Sequence, residues 1–156
     1  MKLLFKQRFF SWFDSYDIYD EAGNTVFTVE GKFSWGHCLH ILNANGVHVG
    51  TVQERVFTFL PKFELYVNEQ YVGEIRKEFT FFKPQFTLDY NGWQVDGDFF
   101  QWDYEITGAA GHQIAFVSKE LFHLTDTYQM TIHNPADALY VLMIVLAIDA
   151  VKCSQN

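Results

Sequence analysis

The segment His37-Cys38-Leu39-His40 is the nearest approach to a metal motif in this chain. On a strand, Cys38 and His40 share a face and His37 points away. Two ligands on one face fall short of the four that a structural zinc site takes. The segment therefore reads as ordinary strand, with Cys38 packed as a small hydrophobe. Carboxylates gather at Asp14, Asp17, Asp20 and Glu21, and again at Asp96 and Asp98. A calcium loop needs several oxygens on a short irregular segment. Neither group has EF-hand spacing and both flank strand-like runs, so solvated outward faces explain them. Asp96 and Asp98 have the spacing to point into one site, but nothing in the sequence converges on them. There is no Gly-x-Ser-x-Gly, no cysteine beside a suitable histidine and no Walker A loop. Gly108-Ala109-Ala110-Gly111 reads as a turn, since phosphate fingerprints need a following helix. The expectation is a non-enzymatic protein without metal or cofactor.

Two places pair cations with aromatics. Lys6 and Arg8 stand beside Phe9-Phe10, and Lys83 stands beside Phe81-Phe82. This pairing suits an interfacial anchor, which makes Lys6, Arg8 and Lys83 the candidate lipid or partner contacts. The competing and favoured reading is that their long stems lie over apolar surface. A net charge of -8, with 11 Lys and Arg and no basic stripe, excludes a phosphate-neutralising nucleic-acid binder. Simple attraction to an acidic membrane is disfavoured as well, leaving room only for a local basic spot.

The elements that must carry these residues are announced by repetition. Aromatic clusters return roughly every 20 to 24 residues, which marks one supersecondary unit used repeatedly. They are Phe10-Ser11-Trp12, Phe33-Ser34-Trp35, Phe57-Thr58-Phe59, Phe79-Thr80-Phe81, Phe99-Phe100-Gln101-Trp102 and Leu121-Phe122-His123. Between them fall Gly23-Asn24, Asn45-Gly46, Asn68, Asn91-Gly92, Gly108 to Gly111 and Asn134-Pro135, the residues that tight hairpin turns demand. Each unit is thus corner, strand, turn, strand. Alternation in the run from Gln85 to Tyr90, with Phe86 and Leu88 on one face, agrees with period 2. Aromatics at 19% also lean the composition toward β structure. About twelve antiparallel strands are expected, and so many twisted strands curl and close. The corners are expected to pack into the core, with a subset left partly exposed. Stacking platforms for single-stranded nucleic acid would need a positive groove that the charge denies.

The sixth unit departs from the pattern. Asn134-Pro135 with Asp137 is a helix start, and 138–148 is apolar on every side. Such a helix is buried all round. It is too short for a bilayer span, which takes about 20 residues, and Asp137 and Asp149 bracket it. A barrel of about twelve strands is too wide for its own side chains to fill, and a helix about 10 Å across would plug it. The expectation is a mainly β, closed barrel of about twelve strands around a buried C-terminal helix, residues 1–156 forming one domain. A filled lumen confines any ligand to the rim or outer wall.

Two cysteines, Cys38 and Cys153, do not make a disulfide scaffold. No signal-peptide core follows Met1. A cytoplasmic protein is expected, with peripheral membrane contact as an option.

Local motifs add a family. The chain resembles the LURP-one-related proteins of the Tubby C-terminal-like superfamily, which also includes the phospholipid scramblases. The matching segments are Lys6-Gln7-Arg8-Phe9-Phe10-Ser11, Glu78-Phe79-Thr80-Phe81-Phe82-Lys83-Pro84, Gly97-Asp98-Phe99-Phe100, Asp103-Tyr104-Glu105-Ile106, Asp126-Thr127-Tyr128 and Ala147-Ile148-Asp149-Ala150-Val151. The resemblance implies a twelve-stranded barrel around a central hydrophobic helix. It also implies a link to phospholipid, since Tubby relatives bind phosphoinositides and scramblases act at phospholipid membranes. No phosphoinositide-binding basic motif, acidic calcium segment or Cys- and Pro-rich tail maps onto this sequence. The functional expectation is a peripheral phospholipid-binding module. The alternative is a protein-interaction scaffold, which a contiguous apolar patch outside the barrel would favour.

Overall fold

The computed structural model describes residues 1–6, 15–79, 85–99, 101–120 and 127–154. Twelve strands form one closed antiparallel barrel: β1 Lys2–Lys6, β2 Ser15–Asp20, β3 Thr25–Lys32, β4 Cys38–Asn43, β5 His48–Glu54, β6 Lys62–Val67, β7 Gln70–Glu78, β8 Gln85–Leu88, β9 Trp93–Asp98, β10 Asp103–Thr107, β11 Gln113–Glu120 and β12 Thr127–Ile132. Each strand pairs with its neighbours in sequence, and β1 closes on β12, Leu3 standing opposite Met130. Closure leaves no edge.

Inward positions are apolar: Leu3, Ile18, Val29, Ile41, Leu65, Ile75, Leu88, Ile106 and Met130 are wholly buried. Their outward neighbours include Asp17, Glu64, Arg76 and Glu105, none of them buried. This is the reverse of a membrane barrel, whose lipid-facing wall is apolar and whose interior is polar. The helix α1, Ala138–Ser154, fills the lumen. Its residues from Val141 to Ile148 are at most 2% exposed, more than two turns buried on every side. No described helix is long and apolar enough to cross a membrane. Gly50 lets the helix approach: a Cβ there would stand 2.6 Å from Met143 Cε. The helix start differs from the sequence expectation in one detail. Pro135–Asp137 form a 3-10 turn, because Asn134 accepts from Ala136 N through its side chain and from Asp137 N through its carbonyl. The α-helix begins at Ala138.

The repeat is physical as well as statistical. Asp20 Oδ1 accepts from Ala22 N at 3.0 Å and Asn24 N at 2.8 Å. Asn43 Oδ1 accepts from Asn45 N at 2.9 Å and Val47 N at 3.0 Å. Two successive hairpins are thus closed by the same side-chain-to-backbone device. Those bonds also hold the Asp20 carboxyl below its ordinary range. The tight turns lie at one mouth of the barrel, and the described aromatic corners belong to connections at the other, while Phe10-Ser11-Trp12 and Leu121-Phe122-His123 lie outside the described residues.

Candidate functional site

At the second mouth the aromatic corners do not share one fate. Phe99 and Trp102 fold inward: Trp102 is 2% exposed, its ring stacks on Tyr128 at 4.2 Å, and Lys152 Nζ stands 4.1 Å from its centroid. The other described corners point out. Phe57 is 98% exposed, Phe33 93%, Phe59 92%, Trp35 84% and Phe79 66%. This corrects the expectation that the corners pack into the core. The reason is geometric: the lumen is already full of helix and inward strand residues, so only one described corner finds room at the mouth.

The exposed corners are neighbours. The β3–β4 loop leans on β5: Gln53 Nε2 donates to Ser34 Oγ at 3.2 Å. Gly36, at φ +84, lies so close to the β5–β6 loop that a Cβ would stand 3.0 Å from Val56 Cγ1. The β5–β6 loop is tied onward to β7, whose Lys77 N donates to the Pro61 carbonyl at 3.0 Å. Phe33, Trp35, Phe57, Phe59 and Phe79 therefore form one sector along the rim. Phe57 carries a further cost, since its backbone sits at φ 61, a left-handed conformation that is an outlier for a bulky residue.

Cations collar this sector. Lys32 ends β3, Arg55 follows β5, Lys62 begins β6 and Lys77 lies near the end of β7. Lys32 pairs with Glu30 at 2.9 Å, and Arg55 Nε lies 3.5 Å from Glu64. Lys62 and Lys77 make no salt bridge among the described residues. The carboxylates close by are engaged. Glu54 lies 2.6 Å from His37 Nδ1, and Glu78 accepts from Thr87 Oγ1 at 2.6 Å and stands 3.5 Å from Arg76 Nε. The inward corner is flanked instead by Asp98 and Asp103. That contrast was available in the sequence: exposed corners follow or precede Lys and Arg, and the buried corner sits between carboxylates.

The residues singled out for chemistry lie elsewhere. Lys6 closes β1, but its side chain, and the whole of Arg8 and Lys83, lie outside the described residues. Cys38 and His40 face outward on β4 as the alternation requires. Cys38 is half-buried rather than part of the core, and burial pushes its thiol up against the opposing effect of Lys32. His40 stacks on His48 at 4.3 Å. Burial, His48 and Lys32 hold it below its ordinary value. No group of three or more metal-ligating side chains gathers among the described residues. Asp98 turns back to accept from Gln101 N at 3.1 Å, so it does not join Asp96. Asp96, Asp103 and Glu105 line an open depression of about 480 Å³ on the outer wall, where Glu105 is already engaged by Gln113 Nε2 at 3.0 Å.

The profile of the LURP-one-related family matches residues 1–149. The chain is a LURP-one-related protein. Among relatives of this LURP-one-related chain is the uncharacterised protein YxjI of Bacillus subtilis strain 168, 30% identical over 152 residues, covering 97% of this chain and 93% of YxjI. The fold is also that of an Arabidopsis thaliana protein solved by X-ray crystallography. The two superpose with a TM-score of 0.70 at 15% identity, over 97% of this chain and 90% of the other. At that identity the likeness concerns architecture alone. The segments that carried the resemblance include Tyr104-Glu105-Ile106, now seen on β10 with Tyr104 and Ile106 inside, and Ala147-Ile148, inside the plug.

Proposed function

We propose that this LURP-one-related protein is a non-enzymatic module that docks peripherally on phospholipid bilayers through its aromatic rim. The observation that carries the reading is the near-complete exposure of Phe33, Trp35, Phe57 and Phe59 on adjoining loops at one mouth. Exposed apolar side chains gathered on adjoining loops mark an interaction surface. These side chains give the fold little packing, and Phe57 holds its place at a backbone cost of about 1–3 kcal/mol.

Three features favour lipid over a protein partner. The patch sits on loop tips rather than on the barrel wall. Its aromatics stand beside Lys and Arg whose stems can lie along apolar surface while their heads reach phosphate. Three of the four most exposed rings are Phe, an apolar ring of the kind that interfacial segments bury at the acyl boundary. A protein-interaction scaffold remains the second reading, because the same patch meets the criterion set for it from the sequence.

Flotation with phospholipid vesicles at low salt tests the proposal. The wild-type protein floats, and the combined Trp35→Ser, Phe57→Ser and Phe59→Ser variant stays at the bottom with its unfolding midpoint unchanged or raised. A wild-type protein that floats with no vesicle composition overturns the lipid reading.

A further inference from the structure

We infer that the aromatic rim selects anionic bilayers and seats the barrel end-on, with the C-terminal end of α1 toward the lipid. This rests on the rim being a lipid-docking surface and adds the chemistry of the headgroup. Charge is segregated along the barrel axis. The aromatic mouth, over β3 to β8, is near balance: Lys32, Arg55, Lys62, Arg76 and Lys77 stand with Glu30, Glu54, Glu64, Glu74 and Glu78, and Lys62 and Lys77 are the cations outside the ion pairs of the described residues. The opposite mouth carries Asp20, Glu21, Glu69, Asp89 and Asp137 in its turns. Lys2, on that side, lies 3.6 Å from Glu21, and the Met1 ammonium donates to the Ile132 carbonyl at 3.0 Å.

Distance decides which charge a surface feels. The 17-residue α1 traverses the lumen, a length of about 25 Å at 1.5 Å per residue. The Debye length is about 8 Å at physiological salt. A bilayer at the aromatic mouth is therefore screened from the acidic turns by roughly three Debye lengths. It meets the local cations, and the net charge of -8 does not oppose docking in this orientation. The same field turns the acidic mouth away. Lys62 and Lys77, half-buried and without a salt bridge among the described residues, are the cations left to meet lipid phosphate and carboxylate. Lys32 and Arg55 are shared with Glu30 and Glu64. A basic residue near an anionic leaflet strengthens binding about five-fold.

The test compares phosphatidylcholine vesicles with vesicles in which about a third of the lipid is phosphatidylserine, at low and high salt. Wild-type protein should bind the serine-containing vesicles more tightly, and the difference should collapse at high salt. The Lys62→Gln/Lys77→Gln variant should lose about five-fold per cation on anionic vesicles while keeping its unfolding midpoint and its binding to neutral ones. Equal binding to both vesicle types, insensitive to salt, overturns the selectivity and leaves the aromatic docking reading standing. Binding to neither overturns both.

Discussion

Glu54 lies 2.6 Å from His37 Nδ1 and accepts the His37 backbone N–H at 2.8 Å. One carboxylate from the end of β5 thereby fixes the last residue of the loop that presents Trp35. The same loop is closed from the other side by Glu54 N donating to the His37 carbonyl at 2.7 Å. Replacing Glu54 with Ala removes the acceptor of a half-buried amide. The expected loss is about 1–3 kcal/mol, measured by urea denaturation, together with weaker vesicle binding as the Trp35 loop loosens.

The histidines make stability depend on pH. Burial lowers His37 below its usual 6.5, outweighing the attraction of Glu54. His40 is lowered by burial, by its stacked partner His48 and by Lys32, with Glu30 opposing. In both cases the folded state resists a proton that the unfolded chain accepts. The unfolded state then binds more protons as pH falls through 6.5 and below, so stability falls with it. Thermal unfolding followed from about pH 7.5 to about pH 5.5 should show a declining midpoint. The decline should flatten in His37→Gln/His40→Gln.

Phe57 offers a separation of stability from function. Its φ of 61 and its 98% exposure mean that Phe57→Gly relieves a left-handed bulky residue at no packing cost. Folding should strengthen by up to about 1 kcal/mol, and vesicle affinity should fall. A gain in stability bought with lost binding is the pattern of a functional surface.

The plugged lumen makes its own prediction. Ile144 is wholly buried in the middle of α1, and Ile144→Ala should cost about 2–5 kcal/mol. Gly97 sits at φ +141, where a Cβ would stand 2.5 Å from the Asp103 carbonyl oxygen and from Tyr104 Cα. Both atoms are backbone, so Gly97→Ala must distort the β9–β10 pair and should lower the melting temperature by several degrees at least. Val47→Ala, on an exposed turn at the far mouth, should stay within about 0.5 kcal/mol.

The barrel and its plug were legible because each leaves a periodic or contiguous trace. Phe86 and Leu88 alternate with Gln85 and Thr87, and 138–148 has no polar face, so direction follows from position along the chain. Corner loops have no such period. Phe57 and Phe99 are the same residue type in equivalent corners, one 98% and the other 4% exposed. What separates them is whether the mouth beneath has room, which depends on the helix and on Trp102, Tyr128 and Phe5 already stacked there. The contacts proposed from sequence, Lys6, Arg8 and Lys83, rested on cations beside aromatics. The same principle applied to Lys32-Phe33, Arg55-Val56-Phe57 and Lys77-Glu78-Phe79 would have found the exposed sector.

Quenching of tryptophan fluorescence by brominated phosphatidylcholine, mixed into anionic vesicles, is the most direct measurement of where the bilayer touches. Trp93 and Trp102 are buried while Trp35 is exposed at the rim, and a Trp12→Phe background removes the fourth tryptophan, which lies outside the described residues. In that background the protein should be quenched on binding, and adding Trp35→Phe should keep its vesicle affinity while losing most of that quenching. Bound protein whose emission is quenched equally with and without Trp35 would place the lipid contact away from the aromatic rim and contradict the account.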